Sequence, residues 1–167
     1  DFRSVRVSQA GIDRVRVEGA RGVPPPPTYK LSASWQDGFR CIAQLSVFGT
    51  DAVPKARRTG EALLARVRGL LADKGWSDFD KVAITVLGAE DGYGPHAKTP
   101  SLREAMARVA VTHASREALE LFSREARAPG VSFAPGTTSG SALTLNGRAA
   151  VEPRYRLFSC LVDKRRL

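Results

Sequence analysis

Alternating hydrophobic and polar positions mark a series of short strands along the chain. Val15 and Val17 alternate with Arg14 and Arg16, and Val109 stands in a similar alternating stretch. A period of two is typical of β-strands, whose successive side chains point to opposite faces of a sheet. Besides the segment 31–48, treated next, the strands predicted in this way are 2–7, 12–18, 81–88, 105–112 and 154–162.

The segment 31–48 is predicted to be a β-hairpin around which the rest of the domain is organised. Residues 31–35 alternate, and 42–48 return as a second strand. Between them, Asp37-Gly38 tolerates the positive φ that tight turns need. The run Pro24–Pro27 before it predicts a rigid connector, which we favour over a ligand for an SH3-like module because two strands flank it.

Two helices are predicted to cover this sheet. Residues 51–74 carry apolar side chains at three- and four-residue spacing, the pattern of an amphipathic helix of about five turns. Ser115 is a typical cap for a second helix, which Pro129 is predicted to end. The segment 81–88 is apolar at nearly every position, so we predict it at the centre of the sheet.

The order of these elements predicts the fold class. After the first two strands come hairpin, helix, strand, strand, helix and strand, the split βαβ pattern. We therefore predict an α+β, ferredoxin-like sandwich: a mainly antiparallel sheet with two helices on one face. Residues 1–22 form an N-terminal strand pair and linker, and 23–167 form the domain. Because Asp1 falls inside an alternating pattern, we expect a C-terminal piece of a longer polypeptide.

The net charge of +9, from 26 Lys and Arg against 17 Asp and Glu, raises the question of an anionic partner. Nucleic acid, an anionic membrane, or a substrate such as a CoA thioester would each suit this charge. The arginines are dispersed and no nucleic-acid motif accompanies them, so nucleic-acid binding is disfavoured. A solvated basic surface is the preferred interpretation, with a CoA-type anion or an acidic partner domain next.

The apolar runs and the cysteines indicate where the protein is located and whether it holds a disulfide. No apolar run reaches the roughly 18 residues of a membrane helix, so we expect no membrane association and a cytoplasmic location. Cys41 and Cys160 lack metal-ligand spacing and lie in predicted strands, where we expect small buried side chains and no disulfide.

Several motifs in the first 40 residues resemble a known family. Residues 15–22 read VRVEGARG, 25–30 read PPPTYK, and 37–39 read DGF. These motifs, and the order of elements after them, are similar to the C-terminal part of the acyclic terpene utilisation protein A family. The resemblance covers essentially the whole chain but less than half of a typical member. The larger N-terminal domain of such a protein is therefore an expected partner.

The resemblance implies a pathway and no catalytic residue. It implies a role in the bacterial breakdown of acyclic terpenes such as citronellol and geraniol, or of related branched acyl-CoA compounds. From this we hypothesise a non-catalytic accessory or assembly domain, expected to form a homo-oligomer. The alternatives are an enzyme domain acting on CoA thioesters and, third, a nucleic-acid-binding module. No cofactor is predicted, and a CoA thioester is the substrate class considered.

Candidate chemistry is confined to three places. Glu90, Asp91 and His96 follow a predicted strand and are candidates for acid–base catalysis or metal ligation, although a plain turn is preferred and no metal is predicted. Lys30 and Asp37 lie in the family-like motif and are candidate ligand contacts, with stabilisation of the hairpin preferred.

The third place is the Gly-rich segment between Gly136 and Gly140. Its backbone N–H groups are candidates to cradle a phosphate. No Gly-Lys-Ser/Thr follows and no helix starts there, so a mobile loop is preferred. His113, at the end of a predicted strand, is interpreted as structural.

Overall fold

A computed structural model describes residues 2–98, 102–138 and 148–166 and divides the chain into two compact units. The first unit comprises Asp1–Ala33 and Leu157–Leu167, and the second comprises Ser34–Arg156. The elements are β1 Arg6–Gly11, β2 Arg14–Glu18, β3 Thr28–Phe48, α1 Ala52–Asp73, β4 Lys81–Leu87, β5 Glu104–His113, α2 Arg116–Glu125, α3 Pro129–Ser132, β6 Thr137–Thr138 and β7 Val151–Asp163.

The first unit is a ribbon-like set of strands without a core. β1 and β2 pair antiparallel, with Val7 opposite Val17, in a sheet of two described strands. The unit also holds the beginning of β3 and the end of β7, where the hydroxyls of Ser32 and Ser159 lie 3.3 Å apart. None of its described residues is buried. The predicted strand 2–7 begins later than expected, because residues 2–4 form a 3-10 turn.

The second unit is an α+β layer structure, which confirms the predicted class. Its sheet has the order β4-β5-β3-β6, with β7 also paired to β3, and the pairs of β3 with β5 and of β4 with β5 are antiparallel. α1 packs on β4 and β5, and α2 packs on β5 and α1, so both helices cover one face. The ferredoxin-like topology in its details stays a prediction.

An apolar cluster joins the helices to the sheet. Alternate side chains of β3 and β5 are buried beneath α1 and α2, as the period of two requires. Gly60 lies where α1 crosses the sheet: a Cβ there would lie 3.1 Å from Ile84 Cγ2 and 3.2 Å from Val109 Cγ2. The largest fully buried side chains include Phe122, Leu45, Leu63, Leu71, Leu119, Val67 and Val109.

The predicted hairpin 31–48 is wrong, because residues 28–48 form one continuous strand. Residues 39–48 pair with β5, so the strand is not folded back on its own first half. The backbone signal at Asp37-Gly38 is nevertheless real. Gly38 has φ +74°, and a Cβ there would lie 2.8 Å from the carbonyl oxygen of His113. The glycine therefore lets β3 pass the end of β5 instead of reversing it.

Two further expectations are corrected. The strand 81–88 is not central: among the described strands β4 pairs only with β5, and most of its side chains are exposed or half-buried. Pro129 does not end the second helix, which ends at Glu125; it begins the one-turn α3. The predicted helix 51–74, the strand 105–112 and the cap at Ser115, whose hydroxyl accepts the Ala118 N–H at 3.3 Å, are confirmed.

Candidate functional site

The carboxylates of the acidic loop after β4 accept hydrogen bonds from backbone N–H groups. Asp91 accepts the N–H of Val86 at 2.7 Å and pairs with Arg57 at 2.8 Å. Glu90, at φ +54°, accepts the N–H of Lys98 at 2.7 Å. His96 lies exposed at the end of the short 3-10 segment Asp91–His96. Within residues 2–98, 102–138 and 148–166, no group of three His, Cys, Asp or Glu side chains is placed to hold a metal.

Lys30 and Asp37 fall in different units of the structure. Lys30 is an exposed residue of β3 in the first unit. In the second unit, Asp37 accepts hydrogen bonds from Arg154, at 2.8 Å, and from Arg156. Arg154 also donates to the Asp37 carbonyl oxygen at 2.7 Å and lies 3.8 Å from Asp80. The observed contacts of Asp37 thus join β3 to the first residues of β7.

Gly136 closes the chain onto the end of β3. Its carbonyl accepts the N–H of Phe48 at 2.9 Å, and its φ is +89°. A Cβ on Gly136 would collide with the carbonyl oxygen of Phe48. This close approach accounts for a glycine at position 136 without any ligand. Gly140, the other end of the predicted phosphate loop, lies outside the described residues.

Gly136→Ala is expected to lower the free energy of unfolding by at least about 1–2 kcal/mol, because an L side chain is strained at positive φ. The collision with Phe48 adds to this cost. Urea denaturation measures the change. Gly92→Ala is the matched control, since a Cβ at Gly92 meets nothing within 4 Å and no positive φ is required there. Equal stabilities of the two variants would contradict the proposed role of Gly136.

His113 is buried in a polar cluster that the sequence did not predict. Its Nε2 lies 3.0 Å from Ser77 Oγ and 3.1 Å from the Ser77 carbonyl oxygen, and its Nδ1 accepts the N–H of Ser115 at 2.8 Å. Because Nδ1 is an acceptor, the neutral ring carries its hydrogen on Nε2 and donates it to Ser77. The imidazole therefore has no lone pair available to activate Ser77, which supports the structural interpretation of His113.

Cys41 is also unsuited to nucleophilic chemistry. Burial, as the main cause, raises the pKa of its thiol to about 12. Its Sγ lies 3.8 Å from the carbonyl oxygen of Ala149, which accepts the S–H hydrogen. Since the thiolate is the reactive form, Cys41 is inert near neutral pH. Cys41 and Cys160 are both free thiols; Cys41 is buried as expected, whereas Cys160 is only half-buried.

One surface cleft is lined by arginines from α2 and from the segment before β7. Its volume is about 540 Å³. The charged residues along its wall are Arg116, Glu120, Arg124, Arg127 and Arg148. The first four lie four, four and three residues apart, so α2 and the turn after it present them along one side. The opposite side of α2 is buried in the core.

Local contacts fix the walls of this arginine cleft. The buried hydroxyl of Ser123 donates to the carbonyl oxygen of Ala149 at 2.6 Å. This hydrogen bond holds the segment before β7, which forms the second wall of the cleft, against α2. The guanidinium of Arg116 lies over the Phe39 ring, 4.9 Å from its centroid. Arg124 and Arg127 are exposed and form no ion pair with any described residue. Four arginines thus face one carboxylate, an arrangement that favours a ligand with several negative charges.

The spacing of the arginines on α2 was the one signal for this cleft in the sequence. Arg116, Glu120 and Arg124 follow each other at four-residue intervals on a predicted helix. Because the arginines are dispersed along the chain, the sequence did not show that the fold brings several of them together. The position of Arg148 in the cleft depends on the Ser123–Ala149 hydrogen bond. No local sequence pattern predicts this contact.

Fold and cleft together define an α+β domain with a mainly antiparallel sheet and a basic surface cleft. The sequence profile of the family described as acyclic terpene utilisation family protein AtuA matches residues 1–167. The chain therefore belongs to the acyclic terpene utilisation family, as its motifs indicated. No curated protein and no solved structure matches it significantly. None of the described helices has the length and apolarity needed to cross a membrane.

Proposed function

We propose that this chain is a non-catalytic accessory domain in acyclic terpene utilisation, whose arginine cleft holds the phosphate-bearing end of an acyl-CoA. The observation that supports this proposal is the cleft itself, with Arg116, Arg124, Arg127 and Arg148 along its wall. Guanidinium groups bind phosphate oxygens through paired, charge-assisted hydrogen bonds. The pyrophosphate and ribose phosphate of CoA provide several such oxygens on one ligand.

The contacts of the candidate nucleophiles and bases support an accessory role over the enzyme alternative. His113 is committed to donating to Ser77, and burial keeps the Cys41 thiol protonated. Glu90 and Asp91, the candidate acid–base residues, accept the backbone N–H groups of Lys98 and Val86. The domain then binds the carrier and leaves the reaction to another part of the pathway.

Isothermal titration with CoA and geranyl-CoA tests the proposal. Both ligands are expected to bind, and pantetheine, which lacks the nucleotide phosphates, is expected not to. Arg124→Glu combined with Arg127→Glu should weaken binding about a hundredfold or more, because each lost charge-assisted contact is worth about 1.5–3 kcal/mol. Arg14→Glu combined with Arg58→Glu changes the charge equally at exposed positions outside the cleft.

Four outcomes would contradict the proposal. Equal weakening by the control pair would mean that only net charge matters. Unchanged CoA binding in the Arg124, Arg127 variant would place the ligand elsewhere. Hydrolysis of geranyl-CoA by the purified chain would favour the enzyme alternative. Tight binding of duplex DNA that falls steeply with salt would favour a nucleic-acid module instead.

A second role, self-assembly, is favoured by the coreless first unit. Val7, Val15 and Val17 share one face of the β1–β2 ribbon, and each is more than 60% exposed. A two-stranded ribbon is marginally stable in water, so its apolar face needs a cover. We propose a second copy as that cover, because the apolar faces of two identical ribbons can pack against each other about a two-fold axis.

Sedimentation equilibrium is expected to show a dimer that Val17→Lys shifts towards monomer by placing a charge on the apolar face. Ser8→Lys, on the polar face of the same ribbon, is the matched control and should leave the dimer intact. Added salt should strengthen association, because it screens the basic side chains that the two copies share, such as Arg14 and Arg16. A monomer at every salt concentration would contradict the proposal.

A further inference from the structure

One face of the sheet in the second unit is left open by α1 and α2. On β5, this face carries Glu104, Met106 and Arg108, which alternate with side chains buried beneath the helices. The strand register places Leu87 of β4 and Ser46 of β3 in one row with Met106. Met106 is half-buried and Leu87 is 47% exposed. This row therefore forms an apolar patch on the face of the sheet that the layer of helices does not cover.

The charged residues on either side of Met106 have no partner among the described residues. Arg108 is half-buried and Glu104 is exposed, and neither forms an ion pair with the described part of the chain. Each lies two residues from Met106, so about 14 Å separates them along the strand. At that separation they do not neutralise each other. A half-buried guanidinium without a carboxylate favours a partner that supplies one.

Two-fold symmetry supplies the missing partner to both residues. Two copies of the sheet can pack face to face about an axis that runs across the strands at Met106. β5 of one copy then lies antiparallel over β5 of the other, so the residue two places after Met106 meets the residue two places before it. Arg108 of each copy therefore faces Glu104 of the other, and Met106 meets Met106. Packed sheets are about 10 Å apart, a gap that long Arg and Glu side chains span together.

The same charges disfavour the neighbouring alignments of the two copies. An axis at Arg108 would place one guanidinium on another, and an axis at Glu104 would place two carboxylates together. Like charges that meet across an interface weaken it and suppress the wrong alignment. The order Glu104, Met106, Arg108 on one strand thus specifies a single alignment in addition to favouring association.

We infer that this open face docks a second copy of the chain, with Met106 at the two-fold axis and two reciprocal Arg108–Glu104 ion pairs beside it. The apolar side chains of Met106 and Leu87 provide the attraction, and the ion pairs set the alignment. The inference extends the self-assembly proposed above and adds a contact in the second unit, whereas the β1–β2 ribbon belongs to the first unit.

Site-specific cross-linking of the full chain tests the inference. Met106→Cys, combined with Cys160→Ser to remove the partly exposed native thiol, is expected to give a covalent dimer with a short bismaleimide. Ala83→Cys in the same background is the matched control. Position 83 is exposed on the same face, but its two copies would lie about 27 Å apart along the strands, so it should give no covalent dimer.

Exchange of the two charges tests the ion pairs. In the Met106→Cys protein, Arg108→Glu and Glu104→Arg should each lower the yield of covalent dimer about tenfold or more, because each opposes like charges twice. Both changes together exchange the charges and should restore the yield. An effect of either substitution on folding alone would not be repaired in this way. Circular dichroism verifies that each variant is folded.

The two self-assembly contacts fail in distinguishable ways. No covalent dimer from Met106→Cys, or a yield equal to that of Ala83→Cys, would overturn the inference whatever the β1–β2 ribbon does. A double charge exchange that yields no more dimer than the single changes would overturn it as well. Association that is insensitive to Val17→Lys, with cross-linking at position 106 intact, would remove the ribbon contact alone.

Discussion

Leu64→Asp and Val67→Asp are each expected to yield a chain that is unfolded at room temperature. Val67 is fully buried and Leu64 is 4% exposed, both on the side of α1 that faces the sheet. Loss of the apolar contacts costs about 2–5 kcal/mol, and an unpaired buried carboxyl group costs several kcal/mol more. Together these losses are comparable to the roughly 5–15 kcal/mol that stabilise a typical domain.

Far-UV circular dichroism and urea titration measure the outcome. Ala65→Asp is the matched control, because position 65 is exposed on the same helix between the two buried positions. It should fold and melt close to the parent protein. If Leu64→Asp and Val67→Asp both melt as Ala65→Asp does, α1 does not bury the face assigned to it.

Phe122→Ala is expected to lower the free energy of unfolding by about 3–5 kcal/mol. Phe122 is fully buried on α2, and its ring meets Phe79 edge-to-face with centroids 5.8 Å apart. Such a ring contact adds about 0.5–1.5 kcal/mol to the effect of burial, and it is lost with the ring. The surrounding core is formed from two helices and a sheet, which limits how far it can close around the cavity.

Denaturant unfolding of Phe122→Ala and Phe2→Ala separates burial from residue type. Phe2 is 95% exposed, so the same change there should alter the free energy of unfolding by less than about 0.5 kcal/mol. A similar loss for both variants would show that the core does not depend on the Phe122 ring.

Elements whose periodicity is local were predictable from the sequence. The apolar stripe of α1 is complete within the helix, and Ser115 caps α2 through a contact three residues away. At 105–112, the alternation of Val109 and Val111 correctly predicted a strand. In each case the residues that determine the conformation are close together along the chain.

The predictions of a hairpin at 31–48 and of a central strand at 81–88 were wrong because strand pairing is decided at long range. Asp37-Gly38 correctly indicated a positive φ, but the partner of residues 39–48 is β5, more than 50 residues away. The apolar composition of β4 predicted burial on both faces. Its position in the sheet depends on which strands pair with β5, and the hydrophobicity of one strand does not encode that choice.

The candidate sites also differ in how far the sequence alone indicated them. Asp91 and Gly136 were singled out by residue type, and the structure shows what their backbone contacts achieve. The arginine cleft needed two segments of the chain to meet. This juxtaposition arises only once the chain has folded, so residue patterns alone did not reveal it.

The bond from the Val86 N–H to Asp91 has a consequence for self-association. Alternate residues of an outer strand turn their backbone groups away from the sheet. The N–H and C=O groups of Val82 and Ile84 therefore point outward, as those of Val86 do. Asp91, anchored by Arg57, occupies the last of these outward donors. An apolar residue at position 91 would leave three successive donors able to recruit a foreign strand. One carboxylate thus limits edge-to-edge aggregation at this end of β4.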